Sequence, residues 1–452
     1  MIKTEYKKVN NWSKTKSYNT EVLSPTTYED LKFIIKNNKH KSSFSFKAGG
    51  CSYGDCFLNE KGKLVDLINF NKIINLDLEN ESLVVQCGAK VEDVLNHILP
   101  KGYYINSIPG ANNATIGGCI NSNVHGKDSF NCGVFSNNII SLKVIDSFGE
   151  ILNLNKEDEN FFYALGTYGL NFIVLEAKLS LNKIPSTMMD VDTKKFHNYN
   201  EMINLFLKYE KDGADMLGAW VDHFNNNGRG IFKAASWNKK KKLQSFKKID
   251  FPIGILKRAY INMIYPIIRF FIVSRPIIKI CNLVLFKISR PKKQILNYSD
   301  FYFPQQKFLP EESKLFDRGK VNIQILMPDK KVEMTLKSIS LICIKFRMES
   351  WWMGIKKHKK NDFIFNFAID GYDITLQWSK KYTERPSFAL FYDELMELII
   401  KNDCLIYLTQ DILLKKNNFR NIYKNYKVFS TVKNELDPNL IFRNNLYDRL
   451  FK

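Results

Sequence analysis

The stretch from Pro109 to Lys127 restricts the fold of this chain more than any other part of its sequence. It reads PGANNATIGGCINSNVHGK, so small residues dominate it. Such small side chains leave room for a large ligand to lie directly against the main chain. Thr115 and Ser122 offer hydroxyl groups, and the central glycine pair offers amide donors. We therefore interpret this stretch as one surface of a site for a large ligand.

Two residues that can carry positive charge end this stretch, namely His125 and Lys127. A lone histidine can simply be a hydrogen-bonded structural group. Its position in a loop beside Gly126 and Lys127 favours a functional role instead. Both residues are therefore candidates for the site.

An earlier glycine motif, Lys47–Asp55, reads KAGGCSYGD and directly follows a predicted strand. Paired glycines allow the chain to turn tightly and to present N–H groups to an anion. The pattern differs from the GxGxxG motif of dinucleotide-binding βαβ units. By itself it fits an ordinary turn as well as a binding loop.

The residues around both motifs predict an α+β fold and not a regular βαβ array. Alternating and apolar runs predict strands at Phe44–Ala48, Leu64–Leu67, Ser82–Cys87, Ile139–Ile145 and Phe172–Leu179, and helical patterns cover Thr27–Asn37 and Val91–Leu99. Further along we predict helices at Met202–Tyr209 and Phe388–Lys401, and strands at Met216–Asp222, Gly230–Ala235, Val321–Leu326, Phe363–Ala368, Tyr372–Leu376 and Leu405–Leu408.

A basic and apolar segment at 251–288 interrupts this pattern. Phe251–Leu285 is strongly apolar but contains Lys257, Arg258, Arg269, Arg275 and Lys279, and it follows a basic run at Lys239–Lys242, Lys247 and Lys248. Its longest uncharged stretch is much shorter than the roughly 20 apolar residues that a spanning helix needs. Two alternatives stay open: a helix pair that covers its own domain, and a segment that lies in a membrane interface.

Charge and cysteine usage restrict the partners. The chain has 67 Lys and Arg against 46 Asp and Glu, a formal net charge of +21, which favours an anionic partner or reflects a lysine-rich proteome. The basic runs fit no nucleic-acid-binding module, so no nucleic-acid partner is expected. The 8 cysteines are scattered without metal-ligand spacing, and Met1–Thr15 has no apolar core. We therefore predict no metal and a cytoplasmic location with free thiols.

Together the two glycine motifs resemble the FAD-binding (PCMH-type) domain of the vanillyl-alcohol-oxidase superfamily. Within it, the chain is most similar to the family of decaprenylphosphoryl-β-D-ribose 2′-oxidases, and sugar-lactone oxidases are more distant. The similarity extends over essentially the whole chain, through weaker matches at Asn11–Ser13, Ala219–Asp222, Phe301–Pro304, Val321–Gln324, Leu405–Tyr407, Asp437–Pro438 and Phe442.

This resemblance implies the architecture. We expect a two-subdomain FAD-binding domain at residues 1–183, completed by a C-terminal segment at 404–452. Residues 184–403 would form a substrate (cap) domain, with a large antiparallel sheet, flanking helices and the membrane-interface segment 251–288.

The resemblance also implies the cofactor contacts. Residues of the first motif would wrap the pyrophosphate of FAD, namely Ala48, Gly49, Gly50, Cys51, Ser52 and Tyr53. The second motif would hold the pyrophosphate and ribityl chain with Gly110, Thr115, Ile116, Gly117 and Gly118. Ser122, Asn123, Val124 and His125 would continue this surface towards the flavin ring, which Ile173 and Tyr407 would also contact.

The implied reaction is oxidation of an alcohol group on a sugar, with His125, Lys127, Gln324 and Tyr407 facing the substrate. Our hypothesis is that Tyr407 or His125 orients the reacting hydroxyl and transfers its proton. Lys127 would stabilise the alkoxide or bind a substrate phosphate, and Gln324 would hold a sugar hydroxyl.

Three departures from the family pattern restrict these roles. Cys51 stands where many superfamily members carry a histidine joined covalently to FAD, and nothing beside it marks an activated thiol, so we predict dissociable FAD. Gln410 stands where the decaprenyl family has a lysine, and glutamine can position a hydroxyl but cannot act as an acid or base. Thr375 replaces a reactive cysteine of the mycobacterial relatives. The proton acceptor and the sugar are therefore left open.

The resemblance implies a lipid-linked sugar substrate in cell-envelope polysaccharide synthesis. It also implies an anionic membrane surface at the inner face of the cytoplasmic membrane, and a short-chain reductase partner that completes an epimerisation. Three alternatives remain: a soluble aldonolactone or alditol oxidase, a non-catalytic binder of nucleic acid or anionic surfaces, and a flavin binder without turnover.

Overall fold

The computed structural model describes residues 2–38, 42–243, 254–272, 274–304, 316, 319–365 and 367–452. The strands in these ranges are β1 Lys3–Asn10, β2 Ser17–Ser24, β3 Phe44–Lys47, β4 Lys63–Asp66, β5 Ile73–Asp77, β6 Ser82–Gln86, β7 Tyr103–Tyr104, β8 Ile139–Ile145, β9 Ile151–Asn155, β10 Ile173–Ser180, β11 Asn182–Lys183, β12 Met188–Phe196, β13 Met216–Val221, β14 Gly230–Trp237, β15 Lys292–Asn297, β16 Lys320–Pro328, β17 Met353–His358, β18 Gly371–Ser379 and β19 Leu405–Ile406.

The α-helices in the same ranges are α1 Tyr28–Lys36, α2 Val91–Ile98, α3 Ile116–Asn121, α4 Ser129–Cys132, α5 Glu159–Tyr163, α6 Tyr199–Lys211, α7 Gly254–Ile272, α8 Arg275–Ile288, α9 Tyr298–Tyr302, α10 Val332–Lys345, α11 Phe388–Lys401, α12 Lys416–Ile422, α13 Tyr426–Leu436 and α14 Asn445–Leu450. Short 3₁₀ turns lie at Leu99–Lys101, Phe135–Asn138, Asp329–Lys331 and Lys380–Glu384. The fold is α+β, as the sequence predicts.

The N-terminal part contains two sheets that carry the glycine motifs. A four-stranded sheet has the order β1-β2-β4-β3, and a five-stranded antiparallel sheet has the order β5-β6-β10-β8-β9. Helix α1 begins at an N-cap threonine, Thr27, which forms a capping box with Asp30, and it buries Leu31, Ile34 and Ile35. The first glycine motif follows β3, and the second lies between β7 and β8.

An eight-stranded antiparallel sheet, in the order β15-β12-β14-β13-β17-β18-β16-β19, forms the larger layer. Side chains alternate between its two faces because a strand repeats every two residues. One face is apolar along β16 and β18 and belongs to the core formed with α6, α10 and α11, through Ile323, Ile325, Ile374, Leu376 and Trp378. The opposite face carries Asn322, Gln324, Lys356, Asp373 and Thr375. We call this the polar face of the sheet, and it lies towards the second glycine motif.

The C-terminal segment joins both parts of the chain. Strand β19 pairs with β16 of the large sheet, whereas Phe442 forms a bridge with Phe44 of β3. The buried ammonium of Lys433 pairs with Asp437 and donates a hydrogen bond to the carbonyl of Phe442, 2.9 Å away. These contacts hold the ends of the two sheets together at the first glycine motif.

Helices α7 and α8 correspond to the basic and apolar segment. On α8, the amide of Asn282 donates to Asp222 across 3.0 Å, and Arg275 pairs with Glu349. In the described parts of the chain, no helix is long and apolar enough to cross a membrane. Residues 251–253 and 273 of the segment, and Lys247 and Lys248 of the basic run, lie outside the described residues.

Most predicted elements are confirmed, with one clear error. Phe363–Ala368 was predicted to be a strand, and this prediction is wrong, because its described residues lie in a loop between β17 and β18. The loop still buries Phe365 and Phe367, so its apolar residues serve as anchors and not as a strand face. The strand in this region is β17, which pairs with β13 on one side and with β18 on the other.

Candidate active site

The two glycine motifs pack directly against each other. The amide of Gly49 donates to the Thr115 hydroxyl across 3.3 Å, and a Cβ atom at position 49 would lie 3.0 Å from the carbonyl oxygen of Asn113. Gly50 has a φ of +61°, a conformation that side chains with a Cβ rarely adopt. Glycines at 49 and 50 therefore allow the first loop to reach the second.

The first loop also contacts the loop after β19. The Ser52 hydroxyl and the Gly54 amide both donate to the carbonyl of Thr409 across 2.7 Å. The Arg449 guanidinium lies between Asp55 and Asp411, 2.8 Å from an oxygen of each. Residues from the beginning and the end of the chain thus form one wall of the site.

The second motif leaves main chain open in the way that a large flat ligand requires. A Cβ at Gly110 would meet nothing within 4 Å, and one at Gly118 would meet the Thr115 hydroxyl at 3.3 Å. The amides of Ile116 and Gly117 instead donate to the carbonyls of Ala89 and Cys87, at 2.9 and 2.7 Å. Gly117 can therefore contact a ligand through its Cα and carbonyl, but its amide hydrogen is already used within the fold.

The remaining cofactor candidates surround the end of this motif. The Tyr407 hydroxyl donates to the carbonyl of Ser122 across 2.7 Å, and burial raises the pKa of this tyrosine. The side chain of Asn123 accepts from the amide of Ser136 at 3.2 Å and so fixes the turn before Val124 and His125. Ile173 is fully buried at the start of β10, which leaves its main chain as the part that can meet a ligand.

The thiol of Cys51 gives no sign of activation. Burial raises its pKa to about 12, and it donates weakly to the Gly49 carbonyl at 3.5 Å. A thiol in this state is a poor nucleophile at neutral pH.

His125 reaches from this loop to the polar face of the sheet. Its Nε2 atom lies 3.0 Å from the amide nitrogen of Gln324, and its Nδ1 atom lies 2.9 Å from the ammonium nitrogen of Lys356. Its ring also packs against Tyr407, with ring centres 5.2 Å apart. Burial lowers the pKa of His125 well below its usual value, and a positive charge on Lys356 would lower it further, so the imidazole is neutral at physiological pH.

A buried carboxylate lies behind this histidine. Asp373 contacts the amide nitrogen of Gln324, accepts a hydrogen bond of 2.8 Å from the main-chain amide of Lys356, and lies 3.5 Å from Nε2 of His358. Burial opposes its ionised form, but Lys356 and His358 outweigh that effect and hold its pKa below the usual range.

The ligand atoms of His125, His358 and Asp373 lie within 4.8 Å of one another, a spacing that a metal ion could bridge. However, both nitrogens of His125 are already taken, one by Gln324 and the other by Lys356. We therefore interpret this cluster as a hydrogen-bonded network and not as a metal centre.

The last two predicted catalytic residues lie at the edges of this network. The ammonium of Lys127 donates to the carbonyl of Tyr302 across 2.6 Å, and burial together with Lys356 lowers its pKa to about 7. Gln410 accepts a hydrogen bond of 3.2 Å from the amide of Asn322, so it lies beside the polar face but does not contact His125.

Sequence reasoning missed four members of this cluster, namely Asn322, Lys356, His358 and Asp373. Lys356 and His358 lie in a lysine-rich stretch, and their alternation with Gly354 was the available signal for a polar strand face. Asp373 gave no local signal, because its partners come from three other parts of the chain.

Residues 20–155 match the model of an FAD binding domain, which covers both glycine motifs. Over 99% of its length, the chain is 22% identical to decaprenylphosphoryl-beta-D-ribose oxidase of Mycolicibacterium smegmatis, and the match covers 98% of that protein. Two further matches are partial. UDP-N-acetylenolpyruvoylglucosamine reductase of Clostridium tetani is 28% identical over 36% of this chain and 51% of its own, and D-arabinono-1,4-lactone oxidase of Candida glabrata is 24% identical over 39% and 34%.

The fold, the site and these matches define an FAD-dependent oxidoreductase that acts on CH–OH groups. The domain match at residues 20–155 and the full-length similarity support the resemblance to the vanillyl-alcohol-oxidase superfamily of FAD-binding (PCMH-type) oxidoreductases. The glycine loops fit the cofactor, because they expose main chain at Gly110 and Gly118 where an adenine dinucleotide needs close approach.

Proposed function

We propose that this protein oxidises a secondary hydroxyl group of a sugar carried on a polyprenyl phosphate. The observation that carries this proposal is a pair of buried amide oxygens on the polar face, Asn322 Oδ1 and Gln324 Oε1. Neither has a hydrogen-bond partner among the described residues. They project from the same side of β16, roughly 7 Å apart, a spacing that adjacent sugar hydroxyls can bridge as donors.

Bound FAD supplies the two-electron oxidation, and we propose that it is held without a covalent bond. The glycine loops would hold its pyrophosphate, and Ile173 and Tyr407 would border its ring. Because the Tyr407 hydroxyl donates to Ser122 and its pKa is raised, we assign it to positioning and not to accepting the substrate proton. Lys127 would draw the negative charge of the substrate towards the site.

The helix pair supports a lipid carrier. Phe286 of α8 packs with Trp220 and Ile231 of the large sheet. Trp220 and Gly218 are two residues apart on β13, so both are on the same face of the sheet. This is the polar face, on which the neighbouring strand β17 carries Lys356. Helix α8 thus covers one end of the polar face, so a carrier attached to the sugar would leave along it.

The outer side of α8 is apolar and framed by cations. The exposed fractions of Ile280, Val284 and Ile288 are 60%, 48% and 68%. Lys279 and Lys287 are exposed beside these apolar side chains. A helix of this kind binds the headgroup region of an anionic membrane. We therefore propose a peripheral location at the inner face of the cytoplasmic membrane, in cell-envelope polysaccharide synthesis.

The first test of the proposal is spectroscopic. Purified protein should show a flavin spectrum, and acid precipitation should release the colour into the supernatant. Anaerobic addition of a polyprenyl-phosphoryl pentose should then bleach the flavin, and a ketose should form. Colour that stays in the pellet would contradict dissociable FAD, and an unbleached flavin would contradict the substrate class.

A second test addresses the membrane. The triple variant Ile280→Ser, Val284→Ser, Ile288→Ser should lose cosedimentation with phosphatidylglycerol vesicles. The matched control changes three equally exposed residues elsewhere, Met334→Ser, Leu341→Ser and Leu390→Ser, and should still bind. Equal binding of both variants would refute the assignment of this surface.

A soluble aldonolactone or alditol oxidase is the less supported alternative. The match to the lactone oxidase of Candida glabrata covers only 39% of this chain and 34% of that protein. Oxidation of a free alditol or lactone at a higher rate than of the lipid-linked sugar would favour it. If the ketose forms, we propose that a separate short-chain reductase reduces it to complete an epimerisation.

A further inference from the structure

The chain has a lysine at the centre of the polar face, Lys356, for which neither the family pattern nor the sequence assigned a role. Its ammonium nitrogen lies 2.9 Å from His125 Nδ1, and 27% of its side chain is exposed, whereas its partner Asp373 is fully buried. Lys356 is therefore the part of this network that a substrate can reach. Gln410 cannot accept a proton, so the reaction needs another acceptor.

We propose that the Nζ atom of Lys356, held as a neutral amine by His125, accepts the proton of the sugar hydroxyl. This assignment rests on the proposed oxidation of an alcohol. It makes Lys356 a catalytic residue, and His125, Gln324 and Asp373 positioning residues.

The hydrogen-bond donors and acceptors of the network carry the argument. The side-chain nitrogen of Gln324 contacts both Asp373 Oδ2 and His125 Nε2. An ionised carboxylate can only accept, so the amide group facing Asp373 is the NH₂ and not the oxygen. The same NH₂ donates its second hydrogen to His125 Nε2, which must therefore carry a lone pair.

The proton state of His125 then fixes that of Lys356. A neutral imidazole with a lone pair on Nε2 carries its hydrogen on Nδ1. That hydrogen points at Lys356 Nζ, 2.9 Å away. An ammonium has no lone pair and cannot accept it, so this contact requires the neutral amine.

The surrounding charges are compatible with this state. Burial lowers the pKa of Lys356, against the opposing effect of Asp373 and Asp128. Besides any charge on Lys356, Asp373 has the amide contacts of Gln324 and Lys356 and the neighbouring His358, and the Lys356 Nζ lies 4.0 Å from it. Lys127 lies in the same cluster, and a positive charge on either lysine disfavours one on the other.

The step balances as follows. The O–H bond of the sugar breaks, and its proton forms a new N–H bond on Lys356, which becomes an ammonium. The same carbon gives up a hydride, with two electrons, to the bound FAD, and a ketone remains. The new ammonium no longer accepts from His125 Nδ1 and turns to Asp373, which supplies its countercharge.

One experiment reads the proton state without any turnover. The chain has 6 histidines, so selective ¹⁵N-histidine labelling of the FAD-loaded protein gives few enough signals to resolve. A His125→Gln variant assigns the signal of His125 by its loss. We expect the Nδ1–H tautomer with an unprotonated Nε2 between about pH 6 and 8. An Nε2–H tautomer, or an imidazolium, would overturn the proposal.

A second experiment separates a base from a fixed cation. Lys356→Arg places a fixed positive charge at this position and cannot accept a proton, so kcat should fall about a hundredfold or more. Lys356→Ala should cause a similar fall, and KM should change less in both variants. Added primary amines should partly rescue Lys356→Ala, in proportion to their basicity. The control Lys357→Arg changes the neighbouring residue, which pairs with Glu210 on the opposite face, and should keep the wild-type kcat.

The outcomes distinguish the two proposals. Near-normal kcat in Lys356→Arg, or no amine rescue, would overturn the role of Lys356 while leaving the oxidation in place. If wild-type protein fails to oxidise the lipid-linked sugar, the proposed function fails. In that case, the tautomer measurement and the kinetics of the Lys356 variants with any other alcohol that reduces the flavin still test the role of Lys356.

Discussion

Removing the Arg449 side chain should destabilise both the fold and the cofactor site. The guanidinium donates five hydrogen bonds: two to Asp55, one to the carboxylate of Asp411, and one each to the carbonyls of Asp411 and Leu414. The carboxylates of Asp55 and Asp411 are 4% and 1% exposed, so Arg449→Met would leave two nearly buried charges without their cation. Breaking a buried pair from one side costs about 3–5 kcal/mol.

The same change should weaken FAD binding, because Arg449 joins the first glycine loop to the loop that carries Tyr407. If the loss of this preorganisation weakens the binding free energy of FAD by about 1.4 kcal/mol, the Kd for FAD rises about tenfold. Arg449→Lys should be intermediate, since a single ammonium cannot span both carboxylates bidentately. Urea unfolding of the apoprotein measures stability, and fluorescence titration with FAD measures affinity.

The matched control is Lys345→Met, which removes a cation that is 61% exposed and paired with Glu394 at the surface. Such pairs contribute about 0–1 kcal/mol. If Arg449→Met loses no more stability than Lys345→Met and binds FAD equally well, the reasoning about the buried carboxylates is refuted.

Three further predictions concern the site. Tyr407→Phe removes the 2.7 Å hydrogen bond to Ser122 and should lower the free energy of unfolding by about 1–3 kcal/mol. Its kcat should fall far less than that of Lys356→Arg. A comparable fall in kcat would make Tyr407 the proton acceptor instead. Gly54→Ala places a Cβ atom 2.8–2.9 Å from three carbonyl oxygens, so the loop must shift and the variant should bind FAD weakly. A titration that gives the wild-type affinity for FAD would contradict this prediction. Burial raises the pKa of Asp128 from 3.8 to about 6, so the folded state binds the proton more tightly than the unfolded state does. The contribution of Asp128 to the free energy of unfolding therefore falls as the pH rises from 3.8 to about 6. Asp128→Asn should flatten this part of the urea-stability profile, and an unchanged slope would exclude the group as its source.

The packing of the two glycine loops was largely predictable from sequence, because its requirements are local. In the loops at Gly49 and Gly110–Gly118, the main chain must come close to other groups, so residues without side chains are required. Glycines and other small residues that are contiguous in the sequence indicate this requirement. Helix α1 was predictable for the same reason, since its cap and its buried Leu31, Ile34 and Ile35 lie within one short segment. The edge strand β1 was not, because it is exposed almost throughout and carries no apolar alternation.

The substrate side depends on residues that are distant in the chain. Gln324 and His125 were predicted from family resemblance, but their partners Lys356 and Asp373 were not. Lys356 and Asp373 are opposite each other only because β17 and β18 pair in one register, and a shift of β17 by one residue would turn Lys356 to the apolar face while Asp373 stayed on the polar face.

The sequence by itself therefore determined that the chain has an α+β fold and glycine loops suited to FAD, because loop geometry is encoded by contiguous small residues. The tertiary structure decided which polar groups meet around His125 and in which direction their pKa values shift. Those properties arise from strand register and burial, and both exist only when distant segments pack together.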